Sequence, residues 1–135
     1  MQLISAGVSV EMEDLEIMVY ADAKWLDFIL GQLIANAVKY QAKQLRFSAS
    51  QAKKSVTLRI WDNGIGMPRE DLCRVFEKGY TGKNGRLAKS TGIGLYLCDQ
   101  LCRKQGMAVS VDSKVGENTS FYLIFPVGGH VNLAD

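Results

Sequence analysis

No run of apolar residues in this sequence approaches the ~18 to 20 that a membrane-spanning helix needs, and the N-terminus shows no basic segment followed by an apolar one. The chain itself is expected to be soluble and cytosolic. An excess of charge of one sign is also lacking: sixteen Lys and Arg stand against fourteen Asp and Glu, and a net charge of +2 gives no ground for nucleic acid or an anionic membrane as a partner. Any basic function must be local. The single histidine, His130, falls in the tail, and the three cysteines, Cys73, Cys98 and Cys102, are an odd set without the paired spacing of a metal site. On a helix Cys98 and Cys102 share a face, but two sulfurs make half a zinc site, so the cysteines read as small buried hydrophobes. Internal repeats and low-complexity tracts are missing too.

What is present suits one compact domain over residues 1–135, with a tail from about 128, since 47% of the residues are hydrophobic. Val8-Ser9-Val10 and Ile17-Met18-Val19-Tyr20 are β-favouring and read as edge-type strands. Asp22 offers an N-cap to a helix from about Ala23 to Tyr40, in which Leu26, Ile29, Leu30, Leu33 and Ala37 recur at three- and four-residue intervals. Strands near Leu45 to Ser50 and Val56 to Trp61 are joined by a short polar turn, which predicts an antiparallel pair. Pro68 opens a short helix with Leu72, Val75 and Phe76 on its apolar side. From Glu77 to Thr91 apolar periodicity disappears, so a mobile loop is expected. A second helix, from about Gly92 to Gln105, carries Leu95, Leu97, Cys98, Leu101 and Cys102 and ends at Gly106, before two strands near Met107 to Ser113 and Ser120 to Val127. This order favours a two-layer α/β (α+β) sandwich, with about three helices on one face of a mixed, mostly antiparallel sheet.

Glycine-rich loops can cradle phosphates, because bare backbone lets N–H groups approach an anion. Two familiar patterns fail here. A dinucleotide fingerprint would need a third glycine where Arg69 stands after Gly64 and Gly66, and a Walker loop would need glycine at Glu77 and a hydroxyl at Asn84 around Gly82-Lys83. "DNGIGM" alone is a common turn, and Gly92 and Gly94 alone could simply admit a helix.

Taken in order, "GQLIANAVKY", "DNGIGM", "VFEKGYTG", "STGIGLYL" and "GENTSFYLIFP" resemble the N, D, F and G boxes and closing strand of the ATP-binding domain of bacterial sensor histidine kinases. That superfamily, with its Bergerat fold and ATP lid, also holds DNA gyrase, the Hsp90 chaperones and MutL. The resemblance covers about Val19 to Pro126, and "FEKGYTGKNGR" further resembles the kinases paired with antimicrobial-peptide transporters.

The resemblance implies ATP and magnesium as cofactors. Gln32, Asn36 and Lys39 fall within about 60° on the first helix, a polar stripe on which Asn36 is implied as the magnesium ligand, and Lys39 and Tyr40 as contacts to phosphate or ribose. Asp62 is implied to meet the adenine amine, with Thr119 supporting it and Gly64, Gly66 and Met67 lining the ring. Thr91, Gly92, Ile93, Gly94 and Leu95 are implied to bind nucleotide at the start of the second helix. Lys78, Lys83, Arg86 and Lys89 lie in the lid segment; a catalytic part is implied for Asn36, Lys39 and Lys83. Ser90 and Asn118 stand where the pattern often has glycine, and both tolerate turn geometry.

The superfamily's ATPases activate water with a glutamate four residues before the metal-binding asparagine. Here that position is Gln32, which accepts no proton at neutral pH, so direct hydrolysis is disfavoured. A histidine kinase instead brings its acceptor histidine on a separate dimerisation hairpin, which this chain lacks. The implied partners are therefore that domain, a response regulator reached through it, and a transporter in the full-length context. The implied location is a cytoplasmic domain of a protein anchored in the membrane by other segments. An ATPase and a non-catalytic nucleotide-binding module are the alternatives.

Overall fold

The computed structural model describes residues 7–12, 22–80 and 93–126 of the 135. The expected strand at Ile17–Tyr20, most of the expected lid and the tail with His130 lie outside the described residues. Strand β1 spans Ser9–Met12, helix α1 Ala23–Lys39, β2 Gln44–Gln51 and β3 Ser55–Asp62. The short helix α2 spans Arg69–Leu72, α3 Gly94–Lys104, β4 Ala108–Lys114 and β5 Asn118–Pro126.

The five strands form one sheet in the order β1-β2-β3-β5-β4. β1 runs parallel to β2 at one edge, and every other pairing is antiparallel. Alternation along the strands puts Leu45 and Phe47, Ile60, Phe121, Leu123 and Phe125 on one face, where they pack with Ile29, Leu33 and Ala37 of α1 and Cys98 and Cys102 of α3. One helical layer therefore covers one face of the sheet, as the sequence predicts.

Local chemistry sets the helix limits. The Asp22 carboxylate accepts from the backbone N–H groups of Lys24 at 2.9 Å and Trp25 at 3.3 Å, which fixes the start of α1. Both long helices end in the same closure. At α1 the N–H of Gln41 donates to Val38 and that of Ala42 to Ala37; at α3 the N–H of Gly106 donates to Arg103 and that of Met107 to Cys102. The residue after the cap is left-handed in each, Gly106 at φ 72° and Gln41 at φ 65°.

Four expectations need correction. α1 stops at Lys39, with Tyr40 as its cap, and α3 begins at Gly94 rather than Gly92. Cys73 is exposed, because α2 ends at Leu72 and its thiol sits on the outside of the following turn. Leu97 is 38% exposed, since Cys98 and Cys102 define the inward stripe of α3 and Leu97 falls beside it.

Candidate nucleotide-binding site

The inward face of the sheet turns polar at one end. Beyond the apolar row Ile60–Phe121–Val111, the next residues on that face are Asp62, Thr119 and Ser113, paired across β3, β5 and β4. Asp62 and Thr119 are almost fully buried. Burial pushes the Asp62 carboxyl up to about 6, although the Gly64 N–H, donating to Oδ1 at 2.8 Å, pulls the other way. The Thr119 hydroxyl lies 2.9 Å from that of Ser113, rather than forming a hydrogen bond with Asp62.

Asn63, Ile65 and Met67 of "DNGIGM" tie the strand end to other elements. Asn63 Oδ1 accepts from the N–H groups of Lys43 and Gln44, at 2.9 and 2.8 Å. The Ile65 N–H donates to the Tyr40 carbonyl at the end of α1, and its own carbonyl accepts from Gly116 in the β4–β5 turn. Met67, buried, donates its N–H to Ser113 Oγ at 2.8 Å. The two glycines make room first for the protein's own backbone. A Cβ on Gly64 would stand 2.5 Å from the Tyr40 carbonyl oxygen, and one on Gly66, at φ 73°, would overlap the Lys114 carbonyl.

On α1, Asn36 is buried and its Nδ2 has no hydrogen-bond partner. One turn on, the Lys39 ammonium lies 5.3 Å from the centre of the Tyr40 ring. Burial lowers the pKa of Lys39, opposed by the carboxylate of Asp71; burial raises that of Tyr40 to about 12, with Asp71 and Tyr80 adding to the shift. Gln32 sits against the first turn of α3, where a Cβ on Gly94 would collide with its amide oxygen. Ile93 occupies the position before α3, and Leu95 is partly buried against the core. The polar stripe of α1 and the DNGIGM loop thus meet at Tyr40.

Lys83, Thr91 and Gly92 lie outside the described residues, as do Arg86, Lys89 and Ser90. Lys78 is described, and its ammonium rests 5.8 Å from the centre of the Tyr96 ring on α3. Asn118, where glycine was the commoner choice, takes the first position of β5 and accepts from Ser113 Oγ at 2.7 Å. The cysteines have no part in the site. Burial first, then the Cys102 thiol and Asp99, push Cys98 to about 12, and burial with Asp99 pushes Cys102 to about 11, which leaves both as unreactive thiols.

Two polar residues escape the sequence reading. Ser113 joins three groups through one hydroxyl, and nothing in its strand context marks it. Asp71 reads as an ordinary acidic residue in a first helical turn, yet it is 3% exposed and accepts from the Tyr80 hydroxyl. A signal was available, since Asp71 lies four residues before Val75 and so shares its inward side.

The profile of the histidine kinase-, DNA gyrase B-, and HSP90-like ATPase family matches residues 21–129. The chain is 41% identical over 111 residues to the sensor histidine kinase YxdK of Bacillus subtilis, covering 79% of this chain and 34% of that protein. It is 39% identical over 126 residues to the sensor protein BceS of Halalkalibacterium halodurans, covering 91% of this chain and 37% of that one. The mycobacterial sensor histidine kinase MprB superposes with a TM-score of 0.78 at 23% identity, over 90% of this chain and 84% of that one. The chain belongs to the histidine kinase-, DNA gyrase B-, and HSP90-like ATPase family. Within it, this is an ATP-binding catalytic domain of the sensor histidine kinase type, and it spans about a third of the length of the curated relatives it matches.

Proposed function

We propose that the chain binds Mg-ATP and donates the γ-phosphate to a histidine on a separate helical dimerisation domain, from which a response regulator receives it. The observation that carries this reading is a pair of buried polar groups whose contacts within the protein leave capacity to spare: Asp62 is held by a single backbone N–H, from Gly64, and Asn36 Nδ2 by nothing. Asp62 closes the inner face of the sheet with its pKa raised, and Asn36 buries an amide nitrogen with no partner. Tyr40 and the DNGIGM loop lie between them.

In this reading Asp62 accepts from the adenine amine, supported by Thr119, while Gly64, Gly66 and Met67 shape the ring's surroundings. Gln32, Asn36, Lys39 and Tyr40 take the ribose and phosphate side with Thr91, Gly92, Ile93, Gly94 and Leu95. Lys83 supplies lid charge. The residues fit a magnesium ion at Asn36: an amide oxygen is a suitable hard ligand, and the unpaired amide can turn, its oxygen and nitrogen being exchangeable in assignment. Bound there, the ion would neutralise phosphate charge.

The relatives, named as sensor kinases and sensor proteins, support a setting as the cytoplasmic part of a longer membrane-anchored sensor; the resemblance of "FEKGYTGKNGR" to the kinases paired with antimicrobial-peptide transporters carries the reading of a transporter as partner in the full-length context. Among the described residues no helix is long and apolar enough to cross a membrane. The competing reading as an ATPase is weakened by Gln32, which offers no base.

Calorimetry of ATP with and without magnesium, on the wild type, Asn36→Asp and Asp62→Asn, tests the site. Absence of wild-type binding below millimolar Kd would overturn the proposal. Labelled ATP with an added acceptor hairpin then separates outcomes: transfer to histidine supports the kinase, steady phosphate release without the hairpin supports an ATPase, and binding without either supports a non-catalytic module.

A further inference from the structure

Asp71 is the second buried polar group in this region with an atom left unpaired, and none of the sequence motifs includes it. Its Oδ1 accepts the Tyr80 hydroxyl, while Oδ2 is buried with no hydrogen-bond partner. A carboxylate half-satisfied in this way costs free energy unless a cation or a donor is brought to it. One cation, Lys39, lies within electrostatic range of it without forming an ion pair with it in this structure. Asp71 interacts electrostatically with both Lys39 and Tyr40, and the Lys39 ammonium lies over the Tyr40 ring. On the other side, the Arg74 guanidinium lies 4.5 Å from the centre of the Tyr80 ring and donates to Glu77, so it is engaged away from Asp71.

We infer that Asp71 is a positioning residue for nucleotide phosphates: held by Tyr80, its half-paired carboxylate is the negative charge that directs the Lys39 ammonium at the end of α1 before a polyphosphate arrives. A half-buried Lys39 without that neighbour would have to be ordered at the expense of binding energy. Asp71 touches no nucleotide atom in this scheme. It acts through Lys39.

The inference rests on the phosphate-binding reading of α1 and makes a prediction of unusual sign. Removing a negative charge near a polyphosphate should by simple Coulomb attraction tighten ATP. If Asp71 positions Lys39, its removal instead weakens ATP and spares adenosine, which has no phosphate.

The test is titration of ATP and of adenosine, followed by NMR of the wild type, Asp71→Asn, Lys39→Met and the double variant. Asp71→Asn is expected to weaken ATP about tenfold, equivalent to about 1.4 kcal/mol, and adenosine less than twofold. In the Lys39→Met background the same change should alter ATP affinity less than twofold. Unchanged or tighter ATP binding, an equal loss for adenosine, or a full effect without Lys39 would each overturn the inference. Should Asp71→Asn not fold, Tyr80→Phe serves in its place, with a several-fold loss of ATP alone expected and an unaltered ratio of ATP to adenosine affinity against it. Failure of the wild type to bind ATP at all would instead sink the nucleotide reading itself.

Discussion

The Cα hydrogen side of Gly64 faces the Tyr40 carbonyl so closely that a Cβ there would lie 2.5 Å from that oxygen and 2.8 Å from Asp62 Oδ1. The strand end and the helix end are therefore pressed together at one residue. Gly64→Ala must displace backbone rather than a pliable side chain, and overpacking of this kind costs about 1 to 3 kcal/mol. Urea denaturation of the variant should show that loss, and nucleotide affinity should fall with it.

Asp62 makes stability and binding respond oppositely to pH. Its folded pKa, about 6, is raised above the usual 3.8 by burial, so between those values the folded state holds more proton than the unfolded one. Stability from this group is present below about pH 4 and is lost as pH rises through about 6. At neutral pH Asp62→Asn should thus be more stable than the wild type, by on the order of 1 to 3 kcal/mol at one to two pKa units. The proposed adenine contact needs the ionised form. Adenosine affinity should fall roughly tenfold from pH 7 to pH 5 in the wild type, as the ionised fraction falls, and hardly change in Asp62→Asn. Thermal melts and adenosine titrations at the two pH values check both halves.

Much of this was readable from residue order. The strand pair around Asp62, the long helix with its Asp22 cap and the closure at Gly106 follow from periodicity, capping and turn chemistry, each of which acts over a few residues. Asp71 and Ser113 were illegible for the opposite reason. Their partners, Tyr80 and Met67 with Thr119, come from distant or unpatterned positions, and a short polar side chain carries no local sign of what the fold will set against it. The glycines fall between. Their positions were legible as special, whereas the close approach of Tyr40 and Lys114 backbone, which explains them without a ligand, was not.

Ser113 offers a direct test of that hidden connection. Its hydroxyl donates to the Asn118 carbonyl and accepts from the Met67 N–H, with the Thr119 hydroxyl beside it. Ser113→Ala leaves the Met67 N–H without its acceptor, at a cost of about 1 to 3 kcal/mol. Stability should drop by that amount in chemical denaturation, and the Met67 amide should lose protection in hydrogen exchange.

Gln41 and Gly106 fill equivalent positions after α1 and α3, but only one is a glycine. A non-glycine residue in the left-handed region costs roughly 1 kcal/mol. Gln41→Gly should therefore raise the melting temperature, and Gly106→Gln should lower it by a comparable amount; differential scanning calorimetry of the pair measures both.

The Ile65 peptide has consequences beyond holding a loop. Its N–H reaches the end of α1 and its carbonyl receives the β4–β5 turn, so neither contact can open without disturbing the other. The Ile65 and Gly116 amides should therefore exchange with solvent deuterium at matched rates, as parts of one opening event. A ligand that spans the adenine and phosphate ends would slow both together, which makes this single peptide unit a built-in reporter of whether the two halves of the site are filled at once.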